Sequence, residues 1–364
     1  MERSPAVLGP DATIGILGGG QLGRMLALAA ANLGLKCHVF CPDAHSPAFE
    51  VVRRCTVADY TDTEALDRFA ADVDVITYEF ENIPAETALF LSSRRPVLPD
   101  PGVLAITQDR LVEKDFVAAQ GIGTARYANV ASRDDLDAAL SAIGHPAVLK
   151  TRRFGYDGKG QAAIRSDADR DSAWKAVGGQ PSILEAFVPF EREISVVVAR
   201  ARDGQIECFD VTENEHRDHI LKVSRAPAAL PPAVAAEALT IARRLAEAFG
   251  YVGVMAVEMF LLPEGEPERV LVNEVAPRVH NSGHWTLGGA TVSQFEQHIR
   301  AIAGWPLARP RRHGRVEMIN LLGSEIDDAQ RWLATPNASL YLYGKAAARE
   351  GRKMGHVTIV TPER

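Results

Sequence analysis

The sequence predicts an α/β amino-terminal domain built on a doubly wound parallel sheet, then a larger α+β region and a small carboxy-terminal domain. Strand and helix patterns alternate at first, whereas the later part combines helices with antiparallel strands. Two segments rich in proline and glycine, at 96–102 and 304–314, interrupt the pattern because proline lacks a backbone donor. We therefore divide the chain into units 1–107, 108–304 and 305–364.

The first unit shows the clearest order of elements. Residues 13–17 form an apolar strand pattern that ends in three glycines, and residues 21–33 follow as a helix of strong helix formers. Further strand patterns at 37–41 and 73–78 enclose a helix at 66–71. Strand–helix–strand at this spacing predicts a parallel, right-handed sheet whose ligands collect at the carboxyl ends of the strands.

The second unit mixes helices with strands of hairpin type. In chain order we predict helices at 110–120 and 134–143, strands at 147–150, 182–187 and 194–200, a long helix at 233–249, and strands at 252–261 and 269–275. The turn-forming sequence PEGEP separates the last two strands, which predicts an antiparallel pair.

Composition and charge exclude several classes of protein. The chain has 364 residues, 46% hydrophobic and 24% charged, as in ordinary globular proteins and unlike disordered or fibrous ones. Its 40 basic and 47 acidic residues give a net charge of −7, which disfavours non-specific binding to nucleic acid or membranes. No apolar run approaches the roughly 20 residues that cross a bilayer, no export signal precedes the first strand, and the four cysteines are scattered. We expect a reduced, cytoplasmic protein.

The first glycine-rich turn reads GGGQLG at 18–23, between a strand and a helix. It matches the dinucleotide-binding pattern, and Asp43 occupies the usual place of a ribose-binding acid. A glycine turn before a helix also suits other phosphate ligands, with Gln21 offering an amide. We favour another phosphate ligand over a dinucleotide, and a tight turn without any ligand is the third alternative.

Two glutamates on apolar strands, Glu258 and Glu274, indicate a metal site. They are equidistant in sequence from Glu266 at the centre of the turn, so a simple hairpin makes them cross-strand neighbours with Cβ atoms about 5 Å apart. Two like charges at that distance repel each other unless a cation lies between them. With the amide oxygen of Asn273, these few hard ligands suit Mg²⁺ held partly by substrate phosphates. The alternative is a shifted register that turns both carboxylates to solvent.

The loop after the strand at 147–150 reads KTRRFGYDGKGQ and holds three glycines and four cations. Lys150 can reach a nucleotide phosphate as a point charge. The glycines allow the backbone N–H groups to fold over phosphates and exclude water. The loop does not match the Walker A pattern, so a P-loop enzyme is not implied. A flexible basic loop is the alternative.

A polar cluster, RVHNSGH at 278–284, follows the second glutamate. Arg278 can fork onto a phosphate or a carboxylate, while His280 and Asn281 can hydrogen-bond a ring or bicarbonate. For His284 we favour a structural hydrogen bond.

A basic group lies near the end of the chain. It consists of Lys345, Arg352 and Lys353. From the residues alone it is either an anion-binding group or a solvated run of charges.

Four motifs together resemble the ATP-grasp superfamily, and within it the 5-(carboxyamino)imidazole ribonucleotide synthases of purine synthesis. The motifs are GGGQLGRM at 18–25, FGYDGKGQ at 154–161, NEVAPRVHNSGHWT at 273–286 and GRKMGH at 351–356. The third is too long for a chance match. The resemblance implies an ATP-grasp fold with an amino-terminal pre-ATP-grasp substrate domain, a mobile lid over roughly 118–185 and ATP held between two sheets. It also implies a homodimer.

The resemblance further implies which residues bind each ligand. Those on ATP would be Arg110, Lys150, Gly155, Tyr156, Asp157, Gly158, Lys159, Gly160, Gln161, Glu185, Ala186, Phe187, Val188, Glu193, His216, Asn273 and Glu274. Those on 5-aminoimidazole ribonucleotide would be Gln21, Tyr156, Asp157, Lys159, Arg278, His280, Asn281, Arg352 and Lys353, with Glu79 or Glu81 nearby. Glu258 and Glu274 would bind Mg²⁺, and the catalytic set would be Asp157, Arg278, His280 and Lys353.

The implied reaction is an ATP-dependent carboxylation. Bicarbonate would attack the γ-phosphorus of ATP, and the ribonucleotide amine would capture the activated carbon from carboxyphosphate or from released CO₂. The amine proton would pass to Asp157, to His280 or to the departing phosphate. Three alternatives are a ligase using another acid, such as the formate-using transformylase of the same pathway, a dehydrogenase, and a nucleotide-binding scaffold without activity.

Overall fold

The structure is a computed structural model that describes residues 7–155, 158–266 and 268–363. Among those residues, no helix combines the length and the apolar character needed to cross a membrane. Cys37, Cys41, Cys55 and Cys208 are all free thiols, as the sequence predicts.

The helices and strands for which a range was predicted begin and end within a few residues of it, and the structure adds further elements. The helices are α1 (Gln21–Asn32), α2 (Thr63–Ala71), α3 (Ala85–Ser92), α4 (Pro101–Thr107), α5 (Arg110–Ala119), α6 (Arg133–Ile143), α7 (Arg170–Ala176), α8 (Pro232–Ala248), α9 (Thr286–Gly289), α10 (Gln294–Ala303) and α11 (Ala329–Leu333). The strands are β1 (Thr13–Leu17), β2 (Lys36–Phe40), β3 (Arg54–Thr56), β4 (Val75–Tyr78), β5 (Tyr127–Val130), β6 (Ala147–Thr151), β7 (Gln161–Ile164), β8 (Ser182–Ala186), β9 (Arg192–Arg200), β10 (Ile206–Cys208), β11 (Thr212–Arg217), β12 (Ile220–Ala226), β13 (Gly253–Leu261), β14 (Val270–Ala276), β15 (Arg315–Leu322), β16 (Ala338–Leu342) and β17 (Lys353–Thr361).

The amino-terminal sheet is parallel and doubly wound, which confirms the prediction. Its order is β3-β2-β1-β4, so the chain reverses direction across the sheet between β1 and β4. Ligands of such sheets bind at the carboxyl ends of the strands on either side of that reversal. Here those ends carry Gly18 and Glu79.

The proline-rich segment between the first two units is more ordered than predicted. Val97 forms a parallel bridge with Ile76 on β4. Pro101 begins α4, because proline is tolerated at the first position of a helix. The Asp100 side chain caps this helix by accepting a hydrogen bond from Gly102 N at 2.7 Å.

A second sheet lies within the segment 127–186. It is antiparallel with the order β5-β8-β6-β7. Its apolar face packs against α6 and α7 through a small core that includes Leu136, Leu149, Ala173 and Leu184. The strand β8 ends at Ala186, and the next strand, β9, belongs to the third sheet.

The third sheet has nine strands and spans the second and third units. Its order is β14-β13-β9-β11-β12-β15-β17-β16, with β10 paired to β9. The strands of the carboxy-terminal segment therefore continue the sheet of the preceding unit. The break at 304–314 predicts a separate unit of structure, whereas β15 pairs directly with β12.

Both faces of the nine-stranded sheet are buried around β9. Val196 and Val198 pack towards α8, whereas Val197 and Ala199 pack towards α10. The helix α10 also contacts α1. Its residue His298 connects the amino-terminal sheet to the nine-stranded sheet. Its Nδ1 accepts a hydrogen bond from Val254 N at 3.0 Å, and its Nε2 lies 2.8 Å from Thr77 Oγ1.

Candidate active site

The glutamate pair has the predicted register. Glu258 on β13 is directly opposite Glu274 on β14, so both side chains lie on the same face of the sheet. Their side chains are 17% and 37% exposed, which argues against the alternative of two fully solvated carboxylates. The hairpin is not a simple one, since the register shifts after Glu258 and leaves Asn273 as an extra residue. The Asn273 Oδ1 atom is buried, and it has no hydrogen-bond partner among the residues that the structure describes.

Three carboxylates near this point influence one another. Burial and the charge of Glu274 raise the pKa of Glu258 to about 8. The same two causes raise the pKa of Glu113, on α5, to about 8. Burial acts on Glu274 as well, but the positive charge of Arg110 outweighs it and lowers the pKa of Glu274. In this state Glu274 is the readily ionised member, so a cation beside Glu258 would favour ionisation of both facing glutamates.

The donor set at the hairpin fits Mg²⁺. It offers two carboxylates and the unpartnered amide oxygen of Asn273, which are hard oxygen ligands. Across the described ranges, no three His, Cys, Asp or Glu side chains form a complete metal site. A cation at this place would therefore take its remaining oxygen ligands from a bound substrate or from water.

A cluster of cations lies beside the glutamates. Arg110 Nη1 is 3.0 Å from Glu274 Oε2, and Arg110 Nη2 donates to Gly155 O at 3.3 Å. Lys150 Nζ lies 2.9 Å from Glu185 Oε2, and Lys114 Nζ lies 3.6 Å from the same oxygen. Burial acts to raise the pKa of Glu185, but the charges of Lys150 and Lys114 lower it to about 2. These basic groups can hold the phosphates of a nucleotide.

Sequence reasoning missed Glu113 and Lys114. Both are buried, and Lys114 Nζ also donates to Asn273 O at 3.1 Å. The signal for them is the spacing of Arg110, Glu113 and Lys114, which places all three on one face of a helix. Without the fold, nothing shows that this face points towards the glutamate hairpin.

Two further residues outside the predicted set anchor the start of α5. Arg152 donates to both carboxylate oxygens of Asp109, with Nε–Oδ1 at 2.9 Å and Nη2–Oδ2 at 2.7 Å. Asp109 also caps the helix by accepting from Leu111 N. This pair fixes the first turn of α5, and hence Arg110, to the base of the glycine-rich loop.

The glycine-rich loop closes towards the third sheet. Tyr156 and Asp157 lie outside the described residues. A Cβ atom on Gly158 would come within 2.7 Å of His219, and one on Gly160 within 2.6 Å of Thr151 Oγ1. Both glycines have a positive φ, which side chains rarely adopt. Lys159 lies between them, and Gln161 begins β7 directly opposite Lys150.

The segment that we expect to face adenine connects the second and third sheets. Glu185 and Ala186 end β8, and Phe187 follows with 51% of its side chain exposed. Val188 is half-buried. This exposed aromatic side chain borders the space between the two sheets, where a flat ring could bind.

Glu193 and His216 form a pair on neighbouring strands of the third sheet. His216 Nδ1 lies 2.5 Å from Glu193 Oε2. Burial acts to lower the pKa of His216, but the hydrogen bond and charge of Glu193 raise it. A carboxylate held in this way can accept hydrogen bonds from sugar hydroxyl groups.

The glycine turn after β1 holds a carboxylate of the protein itself. Gly20 N donates to Glu79 Oε1 at 2.7 Å, and a Cβ atom on Gly18 would come within 2.7 Å of the Glu79 side chain. Glu79 therefore takes the Gly20 N–H, which is one of the donors that a phosphate or a dinucleotide would need at this turn. Gln21 begins α1 directly beyond this contact. The dinucleotide-binding residue expected at Asp43 instead caps its own loop, accepting from His45 N at 2.9 Å.

The cluster after β14 faces the amino-terminal sheet. Arg278 Nη2 is 2.5 Å from Glu81 Oε2, and the negative charges of Glu81 and Glu79 raise the pKa of Arg278 against the effect of burial. The amide of Asn281 is buried, and within the described part of the chain neither its oxygen nor its nitrogen has a hydrogen-bond partner. An unsatisfied buried amide costs free energy, so it favours a bound polar ligand.

The two histidines of this cluster differ as expected. His280 Nε2 lies 3.1 Å from Glu258 Oε1. Burial, followed by the charge of Arg278, lowers the pKa of His280 to about 3. His284 is buried and its Nδ1 lies 3.0 Å from Gln294 Nε2, which confirms a structural role.

Two of the three basic residues near the carboxy terminus, Lys345 and Lys353, act on residues of the site through their charge. Lys353 begins β17, and its charge acts on Glu258, His216 and His280. Lys345 donates to Lys353 O at 2.7 Å, and its charge acts on Glu79. Arg352 donates to Ala347 O at 2.9 Å within its own loop. The Arg352 carbonyl oxygen accepts a hydrogen bond from Gly323 N at 2.9 Å.

Several of these groups, among them Arg110, Glu274 and Arg278, line one cleft. Its walls come from the amino-terminal sheet at Glu81 and Asn82, from α5 at Arg110 and Glu113, and from the segments 152–155 and 274–278. All three sheets therefore contribute residues at or near the same opening. Such a cleft can bring two charged substrates together.

Comparisons with known proteins agree with this architecture. A family model of the ATP-grasp domain matches residues 115–295, and a model of the ribonucleotide synthetase pre-ATP-grasp domain matches residues 11–108. A model of the phosphoribosylaminoimidazole carboxylase C-terminal domain matches residues 317–364. The predicted fold class is confirmed.

Individual relatives resemble the chain over nearly its whole length. It is 50% identical over 357 residues to the N5-carboxyaminoimidazole ribonucleotide synthase of Brucella melitensis, covering 98% of each chain. The N5-carboxyaminoimidazole synthetase of Staphylococcus aureus complexed with ADP matches with a TM-score of 0.93, 35% identity, and coverage of 98% of this chain and 95% of that one. The Aspergillus clavatus enzyme in complex with ADP and 5-aminoimidazole ribonucleotide matches with a TM-score of 0.90, 30% identity, and coverage of 97% and 94%. The chain therefore belongs to the N5-carboxyaminoimidazole ribonucleotide synthase family of ATP-grasp enzymes.

Proposed function

We propose that this protein carboxylates the exocyclic amine of 5-aminoimidazole ribonucleotide. ATP and bicarbonate are consumed, ADP and phosphate are released, and the product is 5-(carboxyamino)imidazole ribonucleotide, an intermediate on the way to IMP. Family membership supports the reaction class. The observation that carries the proposal is the Glu258–Glu274 pair, which lies beside three buried or half-buried cations at the cleft.

We assign the nucleotide to the space between the second and third sheets. Lys150 and Arg110 bind its phosphates, and the loop 155–161 covers them. Phe187 and Val188 face adenine, while Glu193, paired with His216, accepts hydrogen bonds from the ribose. Arg110 and Gly155 line the cleft, Gln161 is paired with Lys150, and Glu193 lies beside His216; these three observations support the assignment.

Glu258, Glu274 and Asn273 would hold Mg²⁺ against the phosphates. Bound there, the ion supplies positive charge that neutralises the phosphate oxygens. Arg110 keeps Glu274 ionised, so this ligand is ready before the nucleotide arrives. The glycine-rich loop 155–161 and the second sheet, which lies within the expected lid and which we call the lid sheet, exclude water. Water would hydrolyse an acyl phosphate.

The second substrate binds on the amino-terminal side of the cleft. Arg278, with Lys353, binds its 5′-phosphate, and the amide of Asn281 binds a polar group of the ring. Gln21, Glu79, Glu81 and Arg352 belong to the same proposed site, with Tyr156, Asp157 and Lys159 on the covering loop.

Two bonds form in sequence. A bicarbonate oxygen bonds to the γ-phosphorus while the bridging oxygen leaves with ADP, which gives carboxyphosphate. The ribonucleotide amine then bonds to the carboxyl carbon, or to CO₂ released from it, and phosphate leaves. The amine proton passes to a base in the site.

We further propose a cytoplasmic homodimer with three units, 1–107, 108–304 and 305–364. The ranges that the family models match support these boundaries to within a short segment at each junction. Sedimentation analysis measures the oligomeric state directly.

A coupled assay of ADP release tests the proposed function. We expect ADP release to require both bicarbonate and 5-aminoimidazole ribonucleotide, with one phosphate formed for each ADP. Formate in place of bicarbonate is the control for another acid, and NAD(P)H binding is the control for the dehydrogenase. ADP release that is indifferent to the ribonucleotide would reject the proposal.

A further inference from the structure

A chain of buried hydrogen bonds runs beneath Glu258 and ends at His280. Ser224 Oγ donates to Asn214 Oδ1 at 2.8 Å, and Asn214 Nδ2 donates to Ser195 Oγ at 2.9 Å. Ser195 Oγ donates to Ser282 Oγ at 2.8 Å. Ser282 Oγ lies 2.9 Å from His280 Nδ1. The three serines are fully buried and Asn214 is 7% exposed, so water has little access to compete.

The chain crosses one face of the third sheet. Ser195 on β9 is directly opposite Glu258 on β13, and Asn214 and Ser224 are paired on β11 and β12. Ser282 lies in the short helical turn Asn281–Gly283, which contacts these strands. A second tie, from Trp285 Nε1 to Thr212 Oγ1 at 3.0 Å, fastens the same segment to the sheet. These hydrogen bonds thus attach the loop that carries His280 to the third sheet.

The order of donors gives the chain one direction. The Asn214 amide nitrogen can only donate, so Ser195 must accept there and has its own proton left for Ser282. Ser282 in turn accepts from Ser195 and has its proton left for His280 Nδ1. The backbone N–H of Ser282 also donates to His280 Nδ1, at 3.3 Å. Since Nδ1 is an acceptor in both contacts, the ring of neutral His280 carries its proton on Nε2.

We propose that Ser195, Asn214 and Ser282 are positioning residues that hold His280 in the tautomer with its N–H at Nε2, the nitrogen that lies 3.1 Å from Glu258 Oε1. The Nε2–H group then lies beside the Glu258 carboxylate, and its partial positive charge contributes to the position of that carboxylate. The kinetic consequence rests on the proposed function, whereas the position of the ring proton does not.

The arrangement also limits what His280 can do in the reaction. Its Nδ1 lone pair is taken by Ser282, and its Nε2 already carries a proton. His280 is therefore not the group that accepts the proton of the substrate amine. Of the three candidates, Asp157 and the departing phosphate remain.

The first test is the tautomer of His280 in the ligand-free protein. Two-bond ¹H–¹⁵N NMR correlation distinguishes protonation at Nδ1 from protonation at Nε2, and His280→Gln assigns the signal. We expect the Nε2–H form at neutral pH. A signal from the Nδ1–H form, or from a doubly protonated ring, overturns the proposal whatever the activity assay shows.

Two variants test the chain of hydrogen bonds. Asn214→Asp replaces the donor by an acceptor, so Ser195 turns its proton away from Ser282, and Ser282→Ala removes the hydroxyl donor to His280. The backbone N–H of Ser282 still faces Nδ1 in both variants, so we expect the Nδ1–H form to appear beside the Nε2–H form and kcat to fall about 10- to 100-fold, with KM for ATP little changed. Asn129→Asp and Ser141→Ala, at exposed positions of the lid sheet and its helix, are the controls for charge and for hydroxyl loss.

Circular dichroism and thermal unfolding show which variants are folded. If Asn214→Asp is unfolded, Ser282→Ala and the wild-type tautomer decide the question. A folded Asn214→Asp or Ser282→Ala protein that keeps the Nε2–H form and wild-type kcat contradicts the positioning role. If ADP release does not depend on the ribonucleotide but the tautomer shifts as expected, the proposed function fails and the structural inference stands.

Discussion

Lys114 Nζ and Lys150 Nζ both lie close to Glu185 Oε2, at 3.6 Å and 2.9 Å. Lys150 is the lysine that we assign to the nucleotide phosphates, so its ammonium group must interact with both Glu185 and the ligand. Lys114, which is 3% exposed, holds the same carboxylate from within the protein. We infer that Lys114 compensates Glu185 when Lys150 turns towards a phosphate.

The variant Lys114→Met tests this compensation. We expect weaker ATP binding, because Lys150 is then held more strongly by Glu185. We also expect a loss of stability smaller than the roughly 3–5 kcal/mol that follows when a buried charge loses its only partner, since Lys150 remains. Isothermal titration with ATP and urea unfolding measure the two effects. Lys175→Met, at an exposed position of α7, is the control, and equal ATP affinity in both variants would contradict the inference.

Removal of one carboxylate tests the glutamate pair as a metal site. We expect Glu274→Gln to lower kcat about 100-fold or more, because charge on the transferring phosphoryl group loses its stabilising partner. Its dependence on Mg²⁺ concentration should move to higher concentration, as measured by ADP release during a Mg²⁺ titration. Glu266→Gln, on the exposed turn of the same hairpin, should behave like the wild type. Full activity of Glu274→Gln with unchanged Mg²⁺ dependence would remove the metal assignment.

The raised pKa of Glu113 predicts a pH dependence of stability. Burial and the charge of Glu274 raise this pKa from 4.5 to about 8. Between those values the folded state keeps a proton that the unfolded state loses, so the free energy of unfolding falls as pH rises from about 4.5 to 8. Glu113→Gln has no such proton, and Gln can still accept the hydrogen bond that Val275 N donates to Glu113.

Urea unfolding of the ligand-free protein at pH 5, 7 and 9 measures this effect. The stability of Glu113→Gln relative to the wild type should increase between pH 5 and 8 and then level off. A difference that is the same at every pH would show that the pKa of Glu113 is not raised.

The contact between the glycine turn and Glu79 gives a fourth prediction. A Cβ atom on Gly20 would lie 2.9 Å from Glu79 Oε1, although the φ of Gly20, −74°, suits any residue. We expect Gly20→Ala to displace Glu79, to lower stability, and to raise KM for the ribonucleotide with little change in KM for ATP. Gly9→Ala, where nothing lies within 4 Å, is the control. An equal rise in both KM values would show a general loss of structure instead.

The sequence by itself determined the features that depend on neighbouring residues along the chain. The parallel order of the first sheet follows from strand–helix–strand spacing. The pairing of Glu258 with Glu274 follows from the length of one hairpin, since a short turn leaves few possible registers. The long motif at 273–286 was enough to identify the family, which the comparisons confirm.

Only the tertiary structure decided which distant segments meet. Nothing in the spacing of residues shows that Lys114 reaches Glu185, that Glu79 fills the glycine turn, or that Ser195 and Ser282, 87 positions apart, share a hydrogen bond. Burial and local periodicity give the face of a helix or strand, but the partner of that face depends on how the sheets pack. The charges and hydrogen bonds of the site therefore belong to the packing, because a buried polar group takes whichever partner the fold brings to it.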